Sequence, residues 1–309
     1  MKRWVKTFKN VQILVPASIS NLGCGFDTLG LAVSLYFKTS IHSAPKFHFD
    51  LKVRGKPVKL SEEDNLFLKV LRHCYPVCPD DWRFNISIES EIPLRRGLGS
   101  SACAIISAVL TAARLLNLKH ENGQLLHTAM QWEAHPDNLC ASIFGGFTVA
   151  MQDDEKKVLH QKLSFPRSLR ILMLIPECEV STAEARQILP LQYPKEAVIA
   201  NLQRLAFFMG CLQDGNFQGL RESVADQIHQ PYRASLIPFA RDLLDAKNFS
   251  SDSATVMSGS GPSFAVFYRV HEKKIRSVIQ QIMASHNVAY ELRNLQVDDE
   301  GARIELMED

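Results

Sequence analysis

Four short polar stretches gather the residue types that do chemistry. Gly97-Leu98-Gly99-Ser100-Ser101-Ala102 stands between a candidate strand and an apolar helix. Glycines let a backbone approach a ligand closely, and the free N–H groups of a helix start attract phosphate. The two serines add hydroxyls for phosphate oxygens or for a metal ion. Taken alone, the run is equally a tight turn before a capped helix. It lacks the lysine of a Walker A loop, which excludes a P-loop. Its spacing meets the G-x-G-x-x-A dinucleotide fingerprint, but the polar segment after Asn117 leads into a second helix where a Rossmann unit needs a strand.

The second stretch, Glu133-Ala134-His135-Pro136-Asp137-Asn138, sets two carboxylates, an imidazole and an amide around a predicted helix end. A carboxylate there suits Mg2+, which takes a few hard oxygen ligands beside substrate phosphates. His135 and Asp137 are of the types that act as general bases. The same residues make an ordinary polar helix stop. Ser258-Gly259-Ser260-Gly261-Pro262-Ser263 is either a second glycine loop closing on phosphates or a flexible turn. Asn21-Leu22-Gly23-Cys24-Gly25-Phe26-Asp27 carries an amide and a carboxylate, as a substrate-facing loop or a surface turn would. Cys24 has no activating neighbour in sequence.

These residues need elements to hold them. Val11 to Val15 reads as a strand, and Pro16 to Thr28 as a polar, glycine-bearing loop. Phe84, Ile86 and Ile88 alternate with Asn85, Ser87 and Glu89, the period of a half-buried strand. An apolar helix is predicted from Ala102 to about Leu116, and a second from Glu121 to Ala134, stopped by Pro136. The polar stretch Gln152 to Lys157 is the candidate boundary, giving domains 1–155 and 156–309. Beyond it, Leu169 to Ile175 reads as a buried strand, and Ser181 with Glu184 as a capping box opening a short helix. Helical segments run to about Lys247, and strands at Phe264 to Val270 and Ala289 to Leu295 flank a helix from Glu272. Strands and helices mix without strict β-α-β alternation, so the fold class is α+β.

Of the 309 residues, 46% are hydrophobic and 22% charged, ordinary for globular domains. The net charge of +2, with no basic run, points away from nucleic acid and from an anionic membrane and towards a small partner. The longest apolar stretch, Ala102 to Leu116, is too short to cross a bilayer, and a soluble, cytoplasmic protein is expected. Seven scattered cysteines argue for free thiols, and His73, Cys74 and Cys78 lack the second ligand pair of a structural zinc site.

Together and in this order, the segments resemble the GHMP kinases. Pro16-Ala17 leading into Asn21-Leu22-Gly23 and Phe26-Asp27, the His135-Pro136-Asp137-Asn138 segment and Ser258-Gly259-Ser260-Gly261-Pro262 are similar to the homoserine kinase branch. So are Ser181-Thr182-Ala183-Glu184-Ala185-Arg186 with Ile188-Leu189-Pro190, and Gln230-Pro231-Tyr232-Arg233 with Leu236-Ile237-Pro238. The similarity runs from about Val11 to about Tyr268. It implies an N-terminal domain like ribosomal protein S5 domain 2 and a ferredoxin-like C-terminal domain.

The resemblance also implies transfer of the ATP γ-phosphoryl group to the side-chain hydroxyl of L-homoserine, with Mg2+, on the route to threonine. Carried over by position, Pro93-Leu94-Arg95-Arg96-Gly97-Leu98-Gly99-Ser100-Ser101 would hold the ATP phosphates, with Gly259 and Gly261 closing on them and Asn65 near the adenine. Ser101 and Glu133 would serve the metal. Asn21, Asp27, His135, Arg186 and Arg233 would surround the amino acid, with Asn138 beside the transferring group and Asp27 and His135 at the reacting centre. Arg186 and Arg233 are expected to read the substrate carboxylate through bidentate forks. Cys24 stands where the family usually has proline, and sensitivity to thiol reagents is expected there. Valine at Gly99 is expected to block phosphates without disturbing the fold. A homodimer is compatible with the resemblance, and the sequence leaves the assembly open. Other members of the superfamily act on small alcohols such as mevalonate, and a silent ligand-binding relative would share the fold.

Overall fold

The computed structural model describes residues 10–119, 121–245, 249–250 and 252–306. The first sheet begins with β1 (Val11–Ser20) and the long β2 (Leu29–Ser43), paired antiparallel. β3 (His48–Val53) carries the short β4 (Lys56–Pro57) and lies parallel to β5 (Phe84–Ser90), reached through helix α1 (Leu66–Cys74). Val33 onward, β2 alternates as a sheet with one covered face should, burying Leu35, Phe37 and Ile41. Helices α2 (Ser100–Leu115), α3 (Asn122–Ala129) and α4 (Pro136–Phe144) cover that sheet, and β6 (Phe147–Gln152) and β7 (Val158–Leu163) extend it as a hairpin. α4 meets β2 at Gly30, where an added Cβ would lie 2.3 Å from the Asp137 carbonyl oxygen. The missing side chain lets the first turn of α4 press onto the sheet.

The second sheet has the order β11-β8-β10-β9, all antiparallel. β8 (Arg170–Pro176) leads through α5 (Thr182–Gln187), the twenty-residue α6 (Lys195–Asp214), α7 (Leu220–Ser223), α8 (Gln230–Arg233) and α9 (Ala240–Leu244) to β9 (Ser253–Met257). β10 (Phe264–Tyr268), α10 (Glu272–Ser285) and β11 (Tyr290–Leu295) complete it. Its strand order is that of the ferredoxin-like arrangement. α10 buries Ile275, Ile279 and Met283, one residue per turn on a single stripe. β8 is buried on both faces: Ile171, Met173 and Ile175 join the apolar cluster of the first sheet, while Leu172 and Leu174 face a separate cluster containing the α10 residues. The architecture is two-domain α+β.

Several local expectations need correction. β1 does not stop at Val15 but runs through Pro16 to Ser20, with a register shift between Pro16 and Ala17. A proline is tolerated where the ladder is interrupted, and the serines that suggested a loop are buried strand residues. α3 ends at Ala129, and Pro136 opens α4 at its first turn instead of merely ending a helix. Ser181 is the N-cap of α5 but makes no side-chain capping bond. The sheets do not divide at 155/156: β7 lies in the first sheet, and β12 (Arg303–Leu306) returns to it, pairing antiparallel with β1. Lys247 and the ends of the chain lie outside the described residues. Among the described residues, no helix is long and apolar enough to cross a membrane.

Candidate active site

Ser18 and Ser20 sit two residues apart on β1 and so share a face of the strand. Both reach Asn138 on α4. The Ser18 hydroxyl donates to Asn138 Oδ1 at 2.8 Å, and Asn138 Nδ2 donates to Ser20 Oγ at 3.0 Å. The amide is therefore held at both ends, which fixes its orientation as well as its place. Beside it Asp137, 2% exposed, accepts the Asn138 N–H at 2.7 Å. Burial, and then the nearby Asp27 charge, push its carboxyl up to about 6. His135 precedes the helix, with Nδ1 2.9 Å from Glu133 Oε1. That carboxylate raises the imidazole above its ordinary value.

The loop after β1 turns through the left-handed region at Asn21, with φ of 70°. Asn tolerates this backbone better than most side chains. Its amide is a staple: Oδ1 accepts the Asp27 N–H at 3.0 Å, and Nδ2 donates to the Gly259 carbonyl at 3.0 Å. Asn21 thus shapes the loop that presents Asp27 and Phe26. Asp27 meets the Arg186 fork of α5 through two bonds of 2.6 Å. The Phe26 ring lies under both the Arg186 and the Arg233 guanidinium, 4.9 and 5.1 Å from its centroid.

Arg233, 1% exposed, donates from Nε to the Ala185 carbonyl at 3.1 Å and from Nη1 to the Gly259 carbonyl at 3.0 Å. Burial, and then Arg186, lower its pKa to about 10. The bidentate reading by both arginines needs correction, because the Arg186 fork is taken by Asp27. What stays available is one buried donor without a partner, Arg186 Nε, and Arg233 Nη2, which makes no hydrogen bond among the described residues.

Gly97 and Gly99 have φ of 70° and 71°. An added Cβ at Gly97 would lie 2.2 Å from the Ser258 carbonyl oxygen, and at Gly99 2.3 Å from Ser18 Oγ. The glycines are required first by contact between loops. Ser258 Oγ donates to the Gly97 carbonyl at 2.6 Å, and the Gly259 N–H donates to the Ser20 carbonyl at 3.2 Å. The two glycine stretches and the end of β1 thus form one assembly, with Gly261 in the same turn. Ser100 and Ser101 open α2, with Ser101 exposed, so the N–H groups of its first turn are placed to receive an anion.

The neighbouring residues serve the frame. Pro93 and Leu98 are buried, and Arg96 donates to the Pro176 and Glu177 carbonyls at 2.9 and 2.8 Å, tying the loop to the end of β8. It also reaches back to the Leu94 carbonyl. Arg95 is largely exposed, 3.8 Å from Glu179. Asn65 caps α1, its Oδ1 accepting the Leu68 N–H at 3.0 Å. Among the described residues, no group of three or more His, Cys, Asp or Glu side chains is placed to hold a metal alone. Ser101 and Glu133 carry hard oxygens of the kind that a magnesium ion takes beside phosphates and water.

Comparison with known proteins settles the family. Residues 65–146 match the GHMP kinases N terminal domain and residues 208–285 the GHMP kinases C terminal domain. Homoserine kinase of Aquifex aeolicus is 34% identical over 274 residues, covering 88% of this chain and 92% of that protein. That of Persephonella marina is 30% identical, covering 97% and 100%. The chain belongs to the homoserine kinase family of GHMP kinases. The crystal structure of a homoserine kinase from Cytophaga hutchinsonii shares the fold with a TM-score of 0.81, at 24% identity and covering 98% of this chain and all of that one. A mevalonate kinase structure follows the same fold at a TM-score of 0.66 and 15% identity, covering 93% and 99%. Kinase chemistry and nucleotide binding follow from membership of this homoserine kinase family.

Within that frame, sequence reasoning missed Ser18 and Ser20. The serines lay in a supposed loop, and their period-two spacing was the available signal. Cys24 is corrected: it is 1% exposed, and burial, then the charge of Asp226, push its thiol up to about 12, which leaves it inert.

Proposed function

We propose that this chain transfers the γ-phosphoryl group of ATP to the side-chain hydroxyl of L-homoserine, giving O-phospho-L-homoserine and ADP. One observation carries the substrate assignment. Two guanidinium groups with unused donors stand over Phe26, beside the Asp27 carboxylate. An α-carboxylate matches the arginine donors, and an α-ammonium matches Asp27. A sugar offers neither charge, and mevalonate lacks the ammonium.

The first turn of α2 would receive the nucleotide phosphates, and Ser101 and Glu133 would hold the Mg2+. When bound, that ion neutralises charge developing on the phosphates. Asn138, fixed by Ser18 and Ser20, orients the acceptor hydroxyl. Phosphoryl transfer through a loose transition state asks mainly for placement and charge neutralisation, so Asp137 and His135 need not act as strong bases. Residues 93–101, with Gly259 and Gly261, would hold the ATP phosphates, and Asp27 with His135 would border the transferring group. The product would enter threonine biosynthesis in the cytoplasm. An ADP-release assay with homoserine, threonine, mevalonate and galactose tests the reading. Homoserine is expected to give the highest kcat/KM, and preference for mevalonate or galactose would overturn it.

A further inference from the structure

His229 lies wholly within the protein, at 0% exposure, directly before α8. Both ring nitrogens are engaged: Nε2 is 2.8 Å from the Gly23 carbonyl oxygen, and Nδ1 is 3.2 Å from Arg233 Nη1. A carbonyl only accepts and a guanidinium only donates. The proton must therefore sit on Nε2, and Nδ1 must be bare to accept from Arg233. The ring also stacks on Phe26, with centroids 5.0 Å apart and planes 20° from parallel. One imidazole thus touches the loop carrying Asp27, the aromatic floor beneath both arginines, and Arg233 itself.

The surroundings hold that neutral tautomer. Asp226 accepts the N–H groups of Ile228, His229 and Gln230 at 2.9, 2.8 and 2.5 Å, so its carboxylate already serves the backbone that opens α8. It stands 3.6 Å from Nε2. Arg233, and at longer range Asp27, are the other charges acting on the ring. Burial dominates and keeps the imidazole below its ordinary pKa. A proton on Nδ1 would set donor against donor at Arg233.

We propose that His229 is a positioning residue for substrate recognition: by accepting from Nη1 while donating to the Gly23 carbonyl, it turns Arg233 so that Nη2 meets the substrate carboxylate. This rests on the reading of the site given above. It assigns His229 no contact with substrate, since the ring is sealed from the cleft.

Two isosteric variants separate its two bonds. In His229→Gln the amide nitrogen reaches the Nε2 position and can still donate to Gly23, but Arg233 Nη1 loses its imidazole acceptor and is left with the Gly259 carbonyl alone. In His229→Asn the carbonyl oxygen falls near the Nδ1 position and keeps the bond to Arg233. His229→Gln is expected to raise the KM for homoserine roughly tenfold, as loss of one charge-assisted bond would, with kcat and the KM for ATP within about twofold. His229→Asn is expected to restore most of that loss. With 3-aminopropan-1-ol, which lacks the carboxylate, wild type and His229→Gln should have equal kcat/KM. Equal KM increases in both variants, tracking a lowered Tm, would make His229 a packing residue and overturn the inference. Arg233→Leu is the control for the underlying reading. If it leaves the homoserine KM unchanged, the carboxylate assignment fails. If it raises that KM while His229→Gln does not, only the positioning role fails.

Discussion

Asp137 places an acidic group where neither water nor a cation fully compensates its charge. It is buried, faces Asp27, and is pushed up to about 6. His135 and the Asn138 N–H oppose that rise without cancelling it. A carboxyl raised on folding stabilises the native state fully below its unfolded pKa of about 4, and that stability is lost as pH rises through about 6. Asp137→Asn removes the charge and keeps an oxygen for the Asn138 N–H. The variant should match wild type in thermal stability near pH 4 and exceed it by roughly 2–3 kcal/mol above pH 7. Tm profiles across pH test this, and a constant difference across the range would contradict it. At this scale the sequence was most legible for charged side chains. Asp27 and Arg186 form an ion pair, and Arg186 and Arg233 share the Phe26 ring. It was least legible for Asn21 and Arg96, whose polar ends serve the frame, because which partner a side chain finds depends on chain that is distant in sequence.

Elements explain why the glycine loops exist. The sequence suggested that Gly99 makes room for phosphate, whereas its absent Cβ makes room for Ser18, at a backbone φ of 71°. Gly99→Val is therefore expected to destabilise the fold, by about 1–3 kcal/mol from the left-handed backbone alone and further through displacement of Ser18 and Asn138. Ser101→Ala, on the exposed start of α2, should leave Tm unchanged and weaken ATP-Mg binding. Thermal denaturation beside calorimetric ATP titration separates the two, and a Gly99→Val protein of wild-type Tm that has lost ATP would restore the simpler view. Strong local patterns such as the apolar run of α2 and the alternation of β5 were readable, since each is set by its own residues. The extension of β1 beyond Pro16 was not, because a stretch with two serines beside Ala17 and Ile19 becomes a strand only when β2 and α4 bury it. Pro136 is ambiguous for a related reason: proline both ends one helix and begins the next, and the turn between α3 and α4 has no sequence signature of its own.

Across the whole molecule, the sheets share more than a boundary. One face of β8 belongs to the apolar cluster of the first sheet, and Arg96 fastens the loop before α2 to the end of β8. A cut at 155/156 would separate β6 from β7 and β1 from β12, so neither piece should fold as a self-sufficient unit. The sequence could not reveal this, because a four-residue strand carries little pattern and its partner lies at the other end of the described chain. Deletion from Arg303 onward removes the pairing of Leu306 with Val11 through Arg303 with Leu14, and also the Arg303–Asp298 contact. The variant should show a lower Tm and concentration-dependent light scattering, since an uncovered strand edge pairs with other chains. Unaltered Tm and monodisperse behaviour would mean that β12 is dispensable. The same pairing has a consequence during synthesis. A ribosome releases β1 long before it makes β12, so the strand that ends in the substrate loop waits with one edge open through most of translation. Completion of the first sheet therefore waits until residues 303–306 have been made.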